Sequence, residues 1–337
     1  MLVTRHALDF ILSELEGISR VCARLTEEHR GTIMAGRTLL QQALPTTFGL
    51  KAAGWLVSVL EVRKMLLDVR DRGLAAQLGG AAGTLASLGE SAVSVLGEFA
   101  RELQLVEPTV PWHTDRTRIA EIGGSLSLVA GVLGKISLDV ILMAQTEVGE
   151  VAEPADGGRG GSSTLPHKRN PILSVTAVAN TRRVQALAQA LYGAMAGEHE
   201  RAAGAWHAEW EALSDALALT GGAAAAVREA TEGLEVHPEK MQQNLDEMGG
   251  MLMAENVTTV VADRLGRLKA HEMVGSAARR AADGDRSFRD ELLAEPVLRE
   301  RLSPEEIDTA LDPAGYLGSV GDFIDRALAL YREEASS

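Results

Sequence analysis

Residues 117–150 read TRIAEIGGSLSLVAGVLGKISLDVILMAQTEVGE, a stretch without proline and with few charged side chains. Apolar residues occur on nearly every side of a 3.6-residue turn, which predicts a helix of roughly 50 Å that is buried on most of its surface. Residues 51–72 carry apolar side chains at three- and four-residue steps, and residues 172–197 and 206–229 repeat the pattern. Prolines and glycines separate these segments.

These segments predict an all-α fold: an elongated up-and-down bundle of about five long helices that occupies residues 1–256. After about residue 256 the charge density rises and the periodic segments shorten. Residues 257–337 are therefore predicted to form a small C-terminal helical domain. Within this domain, Ser303-Pro304-Glu305-Glu306 has the pattern of a helix start with a capping box.

Composition narrows the classes of function. The net charge is −14, from 33 basic and 47 acidic residues, which argues against nucleic acid or an anionic membrane as a partner. Cys22 is the one cysteine in the chain, so an intrachain disulfide is excluded. The N-terminus lacks the pattern of a signal peptide, and the least charged stretch, residues 122–134, is shorter than a membrane span. We expect a soluble, cytoplasmic protein.

Two stretches of this acidic chain, residues 30–60 and 157–197, contain basic residues but no Asp or Glu. An acidic protein that binds an anionic ligand requires local positive charge of this kind. The alternative explanation is chance, together with salt bridges at interfaces. The basic residues are Arg30, Arg37 and Lys51 in the first stretch, and Arg159, Lys168, Arg169, Arg182 and Arg183 in the second.

Residues 156–171, DGGRGGSSTLPHKRNP, combine glycines with several polar and basic side chains and lie between two predicted helices. The glycines allow bare backbone to approach a ligand, and Ser162 and Ser163 offer hydroxyl groups. Lys168 and Asn170 supply a cation and an amide, and Pro171 begins the next helix, whose N-terminal end attracts anions. We interpret the segment as an anion cradle. It is neither a P-loop nor a dinucleotide fingerprint, and a flexible linker is the alternative.

Residues 161–171, GSSTLPHKRNP, closely resemble the signature Gly-Ser-Ser-x-Met-Pro-x-Lys-x-Asn-Pro of the fumarase/aspartase superfamily, from which Leu165 alone departs. Residues 36–49 resemble the superfamily segment Arg-Thr-His-x-Gln-x-Ala-x-Pro, with Leu39 at the histidine position. Residues 145–150 resemble the helix end before the signature. The resemblance covers most of the chain in the superfamily's order.

Within the superfamily, the chain is most similar to the branch that forms a lactone from 3-carboxy-cis,cis-muconate in aromatic-compound catabolism, the β-ketoadipate pathway. Adenylosuccinate cleavage, a C–N lyase reaction, is an alternative within enzymes. An inactive, truncated structural homologue is the alternative outside them. The superfamily carries an N-terminal domain before the point that matches Met1, so the resemblance implies that this domain is absent here.

The resemblance also implies roles for individual residues. Ser162 is the expected base that removes a proton next to a substrate carboxylate. A small polycarboxylate is the expected substrate, and a homotetramer with active sites shared between subunits is the expected assembly. No metal or organic cofactor is expected, and His207 and Glu209, two residues apart on a predicted helix, do not share a face. The expected substrate-binding residues are Thr38, Gln41, Ser163, Lys168 and Asn170, with His113, His199 and Arg201 as further candidates.

Overall fold

The computed structural model describes residues 1–155, 160–161, 164–165 and 168–336. Over these residues the chain is predominantly helical, which confirms the predicted all-α class. The elements in chain order are α1 (Leu2–Glu28), β1 (Ile33–Thr38), β2 (Gln41–Thr47), α2 (Phe48–Arg72), α3 (Ala92–Leu103), α4 (Thr117–Met143), β3 (Val151–Ala152), α5 (Ile172–Gly193), α6 (Ala205–Glu232), β4 (Glu235–Val236), α7 (Pro238–Asp246), α8 (Ala254–Leu265), α9 (Arg267–Asp283), α10 (Phe288–Ala294), α11 (Pro296–Arg299), α12 (Pro304–Leu311) and α13 (Val320–Ala335).

Two compact units divide the described chain. The first comprises residues 1–22, 55–144 and 152–235, and the second comprises residues 23–54, 145–151 and 236–337. The second unit therefore joins the C-terminal segment to earlier parts of the chain. The predicted domain boundary near residue 256 stays a prediction.

The predicted bundle consists of five helices of at least 22 residues among those described, and the greater part of each helix belongs to the first unit. Side-chain contacts fix their directions. Asp9 accepts a hydrogen bond from Arg70, so α1 and α2 run antiparallel. Trp55 Nε1 donates to Asp139, which pairs the start of α2 with the end of α4. Antiparallel packing of α4 on α5 and of α5 on α6 completes the up-and-down order.

Helix α4 is the central element of this bundle. Its buried face includes Ile122, Leu126, Val129, Leu133 and Val140. Among the described helices, α4 is the one that is long and apolar enough to cross a membrane by length and composition, a test that core helices of soluble proteins also pass. Such a helix is stabilised in water by packing against its neighbours.

The predicted extent of α4 was wrong at its C-terminal end. The helix ends at Met143 rather than near Glu150. Gln145 O accepts hydrogen bonds from the backbone N–H groups of Val148 and Gly149, and Gly149 has a φ of 60°. A left-handed residue cannot continue an α-helix, so the chain turns here toward the signature loop, residues 156–171.

A β-hairpin in the second unit was not predicted. Strands β1 and β2 pair antiparallel from Ile33↔Thr47 to Thr38↔Gln41, with a bulge between Ala35 and Arg37. The two turn residues, Leu39 and Leu40, have φ values of 50° and 66°. Two-residue hairpin turns of this geometry normally use Asn-Gly or similar pairs, so the Leu-Leu sequence gave no turn signal.

The C-terminal helices of the second unit share their own core. The predicted capping box is confirmed: Ser303 accepts from Glu306 N, and Glu306 accepts from Ser303 N, with Pro304 at the first helical position. The core consists of Val257, Val261, Ala270, Val274, Ala277, Phe288, Leu292, Leu298, Leu302, Ile307 and Ala310.

Cys22 is fully buried within α1, and burial raises the pKa of its thiol to about 12. Because the thiolate is the reactive form, Cys22 is an inert core thiol.

The burial of α4 generates a stability prediction. Leu126 is fully buried, so Leu126→Ala leaves a cavity and should lower the free energy of unfolding by about 2–5 kcal/mol. Leu268 is 91% exposed, and Leu268→Ala should change it by less than about 0.5 kcal/mol. Urea denaturation of both variants measures the difference. Equal losses would contradict the central position of α4.

Candidate active site

The signature loop is closed at its base by a group of polar contacts, here called the loop neck. Asn170 donates two hydrogen bonds to Gly160 O, from its backbone N–H at 2.9 Å and from Nδ2 at 2.8 Å. Gly161 and Arg169 form an antiparallel bridge beside them. An added Cβ at Gly160 would lie 2.4 Å from Asn170 O, and the φ of Gly160 is 70°, so the neck requires glycine at this position.

Arg169 is the second part of the neck. Its two terminal nitrogens donate to the two carboxylate oxygens of Glu235 at 2.8 and 2.7 Å. Nη2 also donates to the backbone carbonyl of Glu153 at 2.7 Å. This bidentate geometry is the strong and directional form of an arginine–carboxylate pair.

Glu153 occupies the N-terminal end of α5. Its buried carboxylate accepts hydrogen bonds from Leu173 N at 2.9 Å, from Ser174 N at 2.8 Å and from Ser174 Oγ at 2.6 Å. The first N–H groups and the positive end of the helix are therefore neutralised by the protein itself. The predicted use of this helix end as part of an anion cradle was wrong.

The predicted site residues of the loop have different outcomes. Lys168 is exposed, and among the described residues none accepts a hydrogen bond from its ammonium group. Asn170 uses its Nδ2 in the neck, and its contact with substrate stays a prediction. Ser162 and Ser163 lie outside the described residues, so their roles also stay predictions.

The acid-free basic stretches are largely compensated in the fold. Arg30 pairs with Asp325, and Arg37 pairs with Glu150. Arg169 pairs with Glu235, and Arg183 lies 3.5 Å from Asp215. These four arginines are therefore paired within the chain, whereas Lys168 is exposed and pairs with none of the acids that the structure describes.

His113, His199 and Arg201 lie together at the other end of the bundle, in a group here called the distal cluster. Arg201 donates to the backbone carbonyls of Gly80 and Ala81, and Thr114 Oγ1 donates to His199 O at 3.0 Å. An added Cβ at Gly79 would lie 2.6 Å from His113 Cε1, so the imidazole packs directly on bare backbone. Three separate loops are thus held against each other.

A buried ion pair supports the distal cluster. Arg116 and Glu209 form a bidentate pair whose side chains are each 5% exposed. Arg116 also lies over the Trp112 ring, 5.0 Å from its centre, and Trp112 Nε1 donates to Ala76 O at 2.7 Å. Removing one partner of such a pair leaves an uncompensated buried charge, so the loop that carries His113 is firmly anchored.

Electrostatics at the distal cluster favour the neutral form of His113. Burial lowers the pKa of its imidazole, and the positive charges of Arg201 and Arg116 lower that pKa further. His199 and Ala202 both have a φ of 52°, which is strained for residues other than glycine. Strain held by surrounding contacts is common at functional sites.

The signature loop and the distal cluster lie at opposite ends of α5. The loop directly precedes Ile172, whereas His199 and Arg201 follow Gly193. A helix of 22 residues spans about 33 Å, so the two groups of one chain cannot contact the same small molecule.

In the second unit, a buried network fixes the hairpin. Arg37 donates to both carboxylate oxygens of Glu150, at 2.9 and 2.7 Å, and the Glu150 side chain is fully buried. Asn244 Nδ2 donates to Glu150 Oε1 at 2.9 Å. The predicted substrate-binding residues Thr38 and Gln41 are exposed and form the last register pair before the turn.

Several residues that organise these sites were missed in the sequence. Arg116, Glu209, Glu153 and Glu235 each form an ion pair or cap with a residue distant in the chain. Glu209 carried no distinct signal, because His207 and Glu211 lie beside it in the sequence and its partner Arg116 is far away. Among the described residues, no group of three or more His, Cys, Asp or Glu is arranged to hold a metal.

Comparisons with known proteins agree with this architecture. Residues 1–186 match the family described as Lyase, and residues 250–327 match the family described as Adenylosuccinate lyase C-terminus. The structure is similar to the crystal structure of 3-carboxy-cis,cis-muconate lactonizing enzyme from Pseudomonas putida, with a TM-score of 0.93 and 43% identity, over 98% of this chain and 74% of that one.

Two further relatives are named for different reactions. The 3-carboxy-cis,cis-muconate cycloisomerase of Pseudomonas aeruginosa is 46% identical over 98% of this chain and 72% of that protein. Nitrosuccinate lyase of Streptomyces davaonensis is 44% identical over 97% of this chain and 71% of that protein.

The fold is an all-α bundle, and the relatives show that the chain is an enzyme of the lyase type. The comparisons identify the group: the chain belongs to the lyase family of the fumarase/aspartase superfamily. The resemblance predicted from the signature loop is confirmed.

The distal cluster generates a titration prediction. His113 should titrate below the ordinary value of 6.5, so unfolding frees a histidine that binds protons more readily. His113 should therefore contribute less stability as the pH falls from 6.5 through its folded pKa. In Arg201→Gln the pKa of His113 should rise, because one nearby positive charge is removed; Arg183→Gln is the control. NMR titration of the histidines measures both, and an unchanged His113 in Arg201→Gln would contradict the assigned cause.

Proposed function

We propose that this chain catalyses the lactone-forming cycloisomerisation of 3-carboxy-cis,cis-muconate, a reaction of aromatic-compound catabolism. The observation that carries the proposal is similarity over nearly the whole chain to enzymes named for this reaction, at 46% and 43% identity. The signature loop with Lys168, and Leu39 in place of the superfamily histidine, support the same branch.

The chemistry centres on a substrate carboxylate. In the lactone-opening direction, a base removes the proton next to a carboxylate while the ring C–O bond breaks and its oxygen leaves as a second carboxylate. Negative charge builds on the first carboxylate, so a fixed cation and amide donors nearby lower the barrier. Lactone formation follows the same path in reverse. We assign the proton transfer to Ser162 and charge stabilisation to Lys168, with Ser163, Asn170, Thr38 and Gln41 in substrate binding.

A complete site on this proposal is assembled from several copies of the chain. The roughly 33 Å length of α5 separates the signature loop from His113, His199 and Arg201, so one substrate can meet both groups only when they come from different chains. Exposed apolar side chains on α4 and α5, among them Leu128, Leu138, Val175 and Tyr192, offer the contact surface for such an assembly. We propose a homotetramer, in which two-fold contacts pair these bundles.

The remaining parts of the proposal follow from the reaction. Its substrate is a small polycarboxylate, and the proton transfer requires neither a metal nor an organic cofactor. The acidic chain and its similarity to bacterial enzymes of this class support a soluble protein, which we assign to the cytoplasm.

Two alternatives remain testable. A C–N lyase of the adenylosuccinate type is favoured by the match of residues 250–327 to the C-terminal family of that enzyme, and the nitrosuccinate lyase relative also carries a lyase name. A chain that assembles but does not turn over substrate is the other. The reactions share proton removal next to a carboxylate and differ in the leaving group.

A substrate comparison separates these functions. The chain is offered 3-carboxy-cis,cis-muconate, adenylosuccinate and nitrosuccinate, and ultraviolet absorbance is followed after sedimentation has established the oligomer. We expect turnover of the muconate at a kcat/KM at least about a hundredfold above the other two, because on this proposal the leaving group is a carboxylate. Preference for adenylosuccinate or nitrosuccinate would replace the proposal with a lyase, and an intact but inactive oligomer would favour the structural homologue.

Substitutions in the loop test the assigned base. Ser162→Ala should lower kcat by roughly 10³-fold or more with a small change in substrate affinity, because a base acts in the transition state. Ser163→Ala should be milder, since alanine keeps the backbone N–H. Lys168→Ala should weaken both affinity and kcat, because its charge stabilises substrate and intermediate alike. Steady-state kinetics on the native oligomer measures all three. Full activity of Ser162→Ala beside an inactive Ser163→Ala would move the base by one residue.

A further inference from the structure

The loop neck holds a pair of residues that the proposed reaction does not use directly. Arg169 lies between Lys168 and Asn170. Its guanidinium donates three hydrogen bonds, two to the carboxylate of Glu235 and one to the backbone carbonyl of Glu153. Glu235 lies beyond the end of α6, far from the loop in sequence. A side chain fixed at both terminal nitrogens has little freedom, so the backbone of the preceding lysine is fixed with it.

The contacts of the neck converge on the segment that carries Lys168. Gly160 and Asn170 join the two strands of the neck, and Arg169 ties the returning strand to the Glu153 carbonyl, where the outgoing strand begins. Glu153 in turn is fixed to the start of α5 through its carboxylate. These contacts therefore fix the backbone beside Lys168 relative to α5 and to Glu235, which belong to the same unit.

The exposure of the pair argues for positioning rather than for global stability. The side chains of Arg169 and Glu235 are 41% and 46% exposed. Exposed ion pairs contribute little to the free energy of unfolding. Variants of this pair should therefore fold and assemble, while a small displacement of a catalytic group is enough to lower a rate strongly.

We infer that Arg169 and Glu235 are positioning residues that hold Lys168 of the signature loop in place for catalysis. The catalytic part of this inference rests on the proposed function, and the structural part does not. Arg169 acts through the backbone of its neighbour and touches no reacting atom. Lysine at position 169 keeps the charge but cannot reproduce the bidentate bond to Glu235 and the third bond to Glu153.

The structural part is tested by cleavage with a lysine-specific endoproteinase, which cuts after Lys168 whether or not the chain has activity. Arg169→Gln and Glu235→Gln should each raise the rate of cleavage after Lys168 roughly three- to tenfold, because the neck opens more often. Arg183→Gln, which removes an exposed arginine of α5, is the matched control and should leave this rate unchanged. Unchanged cleavage in both neck variants would overturn the inference.

The catalytic part is tested with the same proteins. Arg169→Gln, Arg169→Lys and Glu235→Gln should lower kcat at least about tenfold, with the oligomer intact. The charge exchange Arg169→Glu with Glu235→Arg should recover most of kcat and of the resistance to cleavage, relative to each single charge reversal. Full kcat in the single variants would overturn the positioning role. If instead no variant and no wild type turns over any offered substrate while cleavage responds as expected, the proposed function fails and the neck stands as the support of Lys168.

Discussion

Helix α5 imposes the spatial constraint on which the functional account depends. It lies between the signature loop at one end and the distal cluster at the other, and its 22 residues span about 33 Å. No movement of the loop alone can close that distance, because the neck ties the loop to the first turn of the same helix. Chemistry that needs both groups therefore needs more than one chain, which links catalysis to assembly.

Buried acidic side chains hold several segments of this acidic protein in place. Glu153 caps α5, Glu209 neutralises Arg116 beneath the distal cluster, and Glu150 anchors the hairpin through Arg37. Each buried carboxylate has its oxygens satisfied, as burial of a charge requires. Lys168 of the loop, in contrast, is exposed and pairs with none of the described acids. A helix end that sequence alone suggested as an anion site is already occupied by the protein's own carboxylate.

The sequence predicted the elements that depend on local patterns. Long periodic segments predicted four of the five bundle helices, α2, α4, α5 and α6, and Ser303 to Glu306 predicted a capped helix start, because both signals lie within a few residues. The hairpin was missed since Leu39 and Leu40 lack ordinary turn chemistry. Both side chains are exposed, and the hairpin is held instead by the pairing of Arg37 with the distant Glu150. The end of α4 was missed because no proline stands between Met143 and Glu150 to mark it. The loop motif identified Lys168, whereas the partners Glu235 and Glu209 lie far away in sequence and no local pattern points to them.

The central claim, that each active site takes the signature loop and the distal cluster from different chains, is tested most directly by subunit complementation. Lys168→Ala and the double variant His113→Ala with Arg201→Ala are each expected to be inactive alone. Unfolded together and reassembled in equal amounts, they should recover about a quarter of wild-type activity, because random mixing gives that share of sites with both groups intact. Mixed oligomers without activity, or full activity of the distal double variant by itself, would contradict the account.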